Sequence, residues 1–319
     1  MRLISGLPLI IYTLLCLMGL VRFELWSQVI YIWDSDFSLS EILSDYHGIR
    51  YLLVFPIFQL SHWLGVSYNW IFSIVVPGII FLIAWFATQS TQKLCGSGSS
   101  FRRSLVFASI SIAFILLSLL MNGRLIFAMG GSSILLWALL SWHSNSVRVN
   151  FLAVLAAIVL CSVSSGAFLI TIMAFYIFLT ITLMIDYPEL NSRTELMIYA
   201  LLLVVLMPHV TMLVAKLVEF FGGGMSSLGN MASHGYSALI AHWPPVLMTI
   251  GGMIVLGLVY RYREIVARYW VVSSLIVLYL AGGIFGIATA TVAFPPLLVV
   301  LSSVILKSFV KADNNTLLK

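Results

Sequence analysis

Runs of about 18 to 20 apolar residues recur along the chain, each long enough to cross a hydrocarbon core of about 30 Å as a helix. Lipid offers the backbone no hydrogen-bond partner, so a spanning segment must be an α-helix or a strand of a closed barrel. The runs are continuous and do not alternate, which excludes a barrel. Charge is correspondingly scarce. Of 319 residues, 8% are Asp, Glu, Lys or Arg and 61% are hydrophobic, against about 25% charged in ordinary soluble domains. That balance excludes a soluble globular domain, a disordered chain and a disulfide scaffold. The expected class is all-α, a polytopic helical membrane protein forming a single integral membrane domain over residues 1–319.

About ten spans are expected, at 3–21, 70–88, 104–121, 125–142, 151–163, 167–185, 196–214, 246–260, 270–287 and 295–306. Met1-Arg2 before the first run reads as the start of a span rather than as a signal peptide, because no small-x-small cleavage pattern follows. Residues 51–66 are also apolar, but the run is short and holds Pro56, Gln59 and His62. It is read as one re-entrant or interfacial helix. Its placement sets the side of every later loop. If it does not cross, twelve of the sixteen Lys and Arg lie on the cytoplasmic side. Arg22, Arg50, Arg124 and Lys216 are then outside. If it crosses, the basic loops at Arg102-Arg103 and at Arg261, Arg263 and Arg268 face outward, against the positive-inside rule. Both termini are therefore expected in the cytoplasm. The outer face then carries an acidic loop with the interfacial helix over 22–69 and a flexible Gly-rich loop over 215–243.

The net charge of +5 flanks the spans and implies no nucleic acid. Cys16, Cys95 and Cys161 are far apart and form no CxxC, so neither zinc nor a disulfide framework is expected. Apart from His209, the spans after the first hold no ionisable group near mid-membrane, whereas ion-coupled transporters keep acids there. No HExxH, GxSxG or nucleotide-binding motif occurs. Chemistry is thus expected at the outer interface. Arg124 sits there in the turn Asn122-Gly123-Arg124 between two apolar runs. It is either a boundary cation that snorkels or a fork that grips a lipid-linked phosphate with two parallel hydrogen bonds. Arg50 carries the same two readings, as an anchor beside aromatic residues or as a second phosphate or sugar contact. Asp34 and Asp36 are either part of a hydrated loop or a source of a general base toward a sugar hydroxyl.

From the first to the sixth span the pattern resembles the EpsG/Wzy-type bacterial polysaccharide (O-antigen and exopolysaccharide) polymerases. The elements of resemblance are Asp34-Ser35-Asp36 leading to His47-Gly48-Ile49-Arg50, the run 51–66, the loop with Lys93, and Asn122-Gly123-Arg124 followed by Leu125-Ile126-Phe127-Ala128. Two elements of that family differ. Ser164-Ser165-Gly166 stands where the family often has His followed by Ser, and no late outer Arg precedes the last span. The resemblance implies a GT-C-like bundle in the bacterial inner membrane that joins undecaprenyl-diphosphate-linked repeat units on the outer face. It places Arg124 and Arg50 on the diphosphate, Asn122, His47, Ser164 and Ser165 around the glycan, and Asp34 or Asp36 as base. It implies no cofactor, metal or nucleic acid. Partners are the lipid-linked oligosaccharide, membrane lipid, a chain-length regulator and a flippase. Another lipid-phosphate-sugar glycosyltransferase and a non-catalytic exporter or flippase are the competing functions.

Overall fold

The computed structural model describes residues 3–21, 40, 51, 53–96, 99–120 and 123–186, with isolated positions between 197 and 303. A 3-10 turn, Leu3–Gly6, leads into α1, Leu7–Leu17. Then come α2, Phe55–Leu64, α3, Tyr68–Cys95, and α4, Ser100–Leu120. The last three are α5, Gly123–Leu140, α6, Val147–Cys161, and α7, Ser165–Asp186. The described part is all-α, with one helix on each of the first six expected spans and α2 inside the short run 51–66. The spans expected beyond residue 186, and His209, lie outside the described residues except at isolated positions.

α2 is short because its end is built in. Gly65 adopts φ +64°, and the N–H groups of Gly65 and Val66 return to the carbonyls of His62 and Ser61 at 3.2 and 3.1 Å. This left-handed closure ends a helix, leaving α2 about 15 Å long. Ser67 then starts α3, its hydroxyl accepting from the Asn69 N–H at 3.3 Å. α3 continues past the apolar run to Cys95, since Gln and Lys sustain a helix without needing an apolar environment.

α5 is the hub, buried continuously over residues 126–136 and packed against α3, α6 and α7. A helix apolar all round belongs inside a bundle. Small residues let its neighbours come close. A Cβ on Gly131 would lie 2.6 Å from the Ala157 carbonyl oxygen and 2.5 Å from Cys161 Sγ. Such contacts between small residues are how helices associate where lipid removes the hydrophobic drive. Ser132 and Ser133, fully buried, both donate to the Met129 carbonyl, at 3.0 and 2.8 Å.

The polarity of the outer helices is inverted relative to a soluble bundle. On α4, Ser104, Ser111 and Ser118 are buried while Phe101, Leu105, Ile112, Leu116 and Leu119 are exposed. α1 turns Leu7, Ile10, Ile11 and Leu14 outward, and α6 turns Phe151, Leu152 and Leu155 outward. Soluble monomers rarely expose apolar surface on that scale. Two helices, Tyr68–Cys95 and Ser100–Leu119, are long and apolar enough to cross a membrane.

Gly131→Ala pushes α6 away from α5 and is expected to destabilise the protein by about 1–3 kcal/mol. Gly78 on α3 has open space around it, so Gly78→Ala is expected to leave the melting temperature unchanged or raise it. Thermal unfolding in detergent compares the two.

Candidate functional site

The hairpin order gathers the ends of α1, α4 and α6 with the starts of α3, α5 and α7. Specific contacts tie this end together. Ser73 Oγ donates to the Cys16 carbonyl at 3.2 Å, joining α3 to α1. The Phe72 and Phe127 rings meet edge to face at 6.5 Å, joining α3 to α5. Cys161 Sγ lies 3.6 Å from the Ala128 carbonyl, joining α6 to α5. At the opposite end Lys93 Nζ donates to Ser144 Oγ at 2.8 Å, and Trp142 packs on Phe175 and Phe178.

Arg124 falls in the first turn of α5, and Ser165 opens α7, so both stand at the first of these ends. Ser164 joins them but is buried at 2% exposure. Its hydroxyl accepts from the Ala167 N–H at 3.4 Å and its carbonyl from the Phe168 N–H at 2.8 Å. It is the N-cap of α7, satisfying donors that the first turn leaves over. Asp34, Asp36, His47, Arg50 and Asn122 lie outside the described residues. Of the Gly-rich segment 215–243, Gly222, Gly223 and Gly224 all have positive φ, and Val218, Glu219, Ser226 and Ser227 beside them are helical. Among the described residues no group of three His, Cys, Asp or Glu is placed to hold a metal ion.

A groove of about 610 Å³ opens beside this cluster, walled by Pro56 and Ile57 of α2, Val75 and Ile79 of α3, Phe127 of α5 and Val159 of α6. Ser162 also lines it, but its hydroxyl is spent on the Val159 carbonyl at 2.7 Å. The described residues of these walls include no acid or base. The groove suits an apolar chain. The backbone of Arg124 stands one helical turn before Phe127, about 4.5 Å along the axis. Both α5 and α7 begin here, so their dipoles turn partial positive charge toward this end. An apolar groove beside two helix N-termini has room for an apolar chain and a favourable field for an anion. Sequence reasoning missed the groove, whose walls come from five helices, Phe168 of α7 included, and match any lipid-facing residue in composition.

The chain matches no protein-family model, no curated protein and no solved structure.

Removing the α7 cap by Ser164→Ala is expected to cost about 1 kcal/mol. Ser162→Ala loses only a bond back to its own helix and is expected to stay within about 0.5 kcal/mol of wild type. Chemical or thermal unfolding of the purified protein distinguishes them.

Proposed function

We propose that the chain is a polytopic enzyme of the bacterial inner membrane that polymerises polysaccharide from polyprenyl-diphosphate-linked repeat units at the outer face. In this reading it crosses the bilayer about ten times, α2 lies re-entrant or at the interface, and both termini are cytoplasmic. The inverted polarity of α1, α4 and α6 supports the bilayer as solvent. The ten-residue length of α2, about half a hydrocarbon core, supports its not crossing.

One observation carries the substrate class: the apolar groove begins a single helical turn from Arg124. A polyprenyl diphosphate has the two halves such a site fits. The tail lies along Phe127, Val75 and Ile57, and the diphosphate meets a guanidinium at the start of a helix. In polymerisation the acceptor sugar hydroxyl attacks the anomeric carbon of the donor. The bond from that carbon to the diphosphate oxygen breaks, and the lipid diphosphate leaves with the electron pair. Cations stabilise the charge that develops on the leaving oxygen. Arg124 and Arg50 fill that role here, and Asp34 or Asp36 takes the proton of the attacking hydroxyl. A simple exporter is served less well, because the groove walls offer a sugar chain no hydrophilic path.

Arg124→Ala is expected to lower chain extension at least about a hundredfold, as loss of a transition-state charge contact does. Insertion and delivery of single repeat units should persist. Arg124→Lys is expected to retain part of the activity, keeping the charge without the fork. Length profiling of the glycan by gel reads both, and normal long chains in Arg124→Ala reject the assignment.

A further inference from the structure

The opposite end of the bundle holds a second cavity, of about 200 Å³, between the last turns of α3 and the first turn of α4. Thr88, Thr91 and Gln92 line it from α3, and Arg102, Arg103 and Val106 from α4. Thr88 is 3% exposed and Thr91 8%. Both hydroxyls, and the Gln92 side-chain amide nitrogen, are without a hydrogen-bond partner among the described residues. A buried hydroxyl in a helix ordinarily donates to a carbonyl one turn back, as Ser73, Ser111 and Ser133 do; Ser90, Ser104 and Ser141 are also without a partner among the described residues, but they do not line this cavity.

Each unmet group is able to donate. Hydroxyls and the amide nitrogen can donate, both arginines only donate, and α4 directs the positive end of its dipole into the same space. Ser99 caps α4 by accepting from the Arg102 N–H at 3.3 Å, which holds the two arginines on its first turn. Among the described residues no acid lines the cavity, and the sequence has no Asp or Glu between Asp45 and Asp186. No helix from α2 to α6 therefore carries a carboxylate that could pair with the two guanidinium groups. A tetrahedral oxyanion answers these donors together. Its oxygens accept from several directions at once, and paired arginines match phosphate geometry.

We infer that this cleft binds a phosphate group, through Thr88, Thr91 and Gln92 on one side and Arg102 and Arg103 on the other. The site is independent of the groove near Arg124 and of the polymerase reading. Two sources present the same chemistry, free inorganic phosphate and the headgroup of an anionic phospholipid.

The test uses the full chain in two arms, with Thr88→Val/Thr91→Val and Arg102→Gln/Arg103→Gln as variants. Threonine to valine keeps the shape and removes hydroxyls that have no partner, so the fold is expected to hold. In detergent, inorganic phosphate is titrated at constant ionic strength against chloride, and the melting temperature is read. In nanodiscs of mixed phosphatidylglycerol and phosphatidylcholine, native mass spectrometry counts the lipids retained on release. A saturable rise of several degrees with phosphate, lost in both variants, establishes the site and makes free phosphate its source. Retention of phosphatidylglycerol over phosphatidylcholine, lost in both variants, establishes the site and makes the headgroup its source. No preference in either arm overturns the inference. A preference that survives Thr88→Val/Thr91→Val also overturns it, since surface charge alone then accounts for the binding.

Discussion

α5 is buried without a break over residues 126–136, and the rest of the bundle depends on that. A helix enclosed by α3, α6 and α7 must present neighbours with surfaces they can approach. The run Ala128 to Ser133 does so with Ala, Gly and Ser around a single methionine. Gly131 is the tightest point, where the α6 backbone at Ala157 occupies the space of a side chain. The backbone of Arg124 belongs to the first turn of this packed helix; the proposed role of Arg124 calls for such a fixed position.

The same enclosure explains why the two ends of the bundle differ. At the α5 start the walls between helices are apolar and leave a groove. At the α3 end the helix runs past its apolar stretch into Thr88, Gln89, Ser90, Thr91 and Gln92, and the space beside α4 is lined by donors. The cavity at the first end is apolar among its described walls, whereas the one at the second is lined by donors that include Arg102 and Arg103.

Much of the fold was legible before any coordinates. Long apolar runs placed α1 and α3 to α7 to within a few residues at most ends. The shortness of 51–66, with Pro56, Gln59 and His62 inside it, marked α2. The largest error was the end of α3, because hydropathy reports where lipid ends and not where hydrogen bonding ends. The site was legible only in part. Arg124 stood out as a lone cation between apolar runs. The groove did not, since Ile57, Val75 and Phe127 are indistinguishable in sequence from residues facing lipid. Ser164 shows the reverse limit, for a serine before a helix reads equally as a ligand contact and as a cap, and only the bond from Ala167 decides for the cap. The polar run 88–92 was visible, but its unmet donors were not, because satisfaction of a hydroxyl depends on three-dimensional neighbours.

The account depends on the α4–α5 hairpin facing the extracytoplasmic side. In a Cys95→Ser background the remaining native thiols, Cys16 and Cys161, are buried. Single cysteines at Asn122 and at Ser144 then report the two ends of α5 to a membrane-impermeant maleimide. The account predicts that intact cells label Asn122→Cys at once and Ser144→Cys only after permeabilisation. The opposite pattern would place the Arg124 turn in the cytoplasm and contradict it.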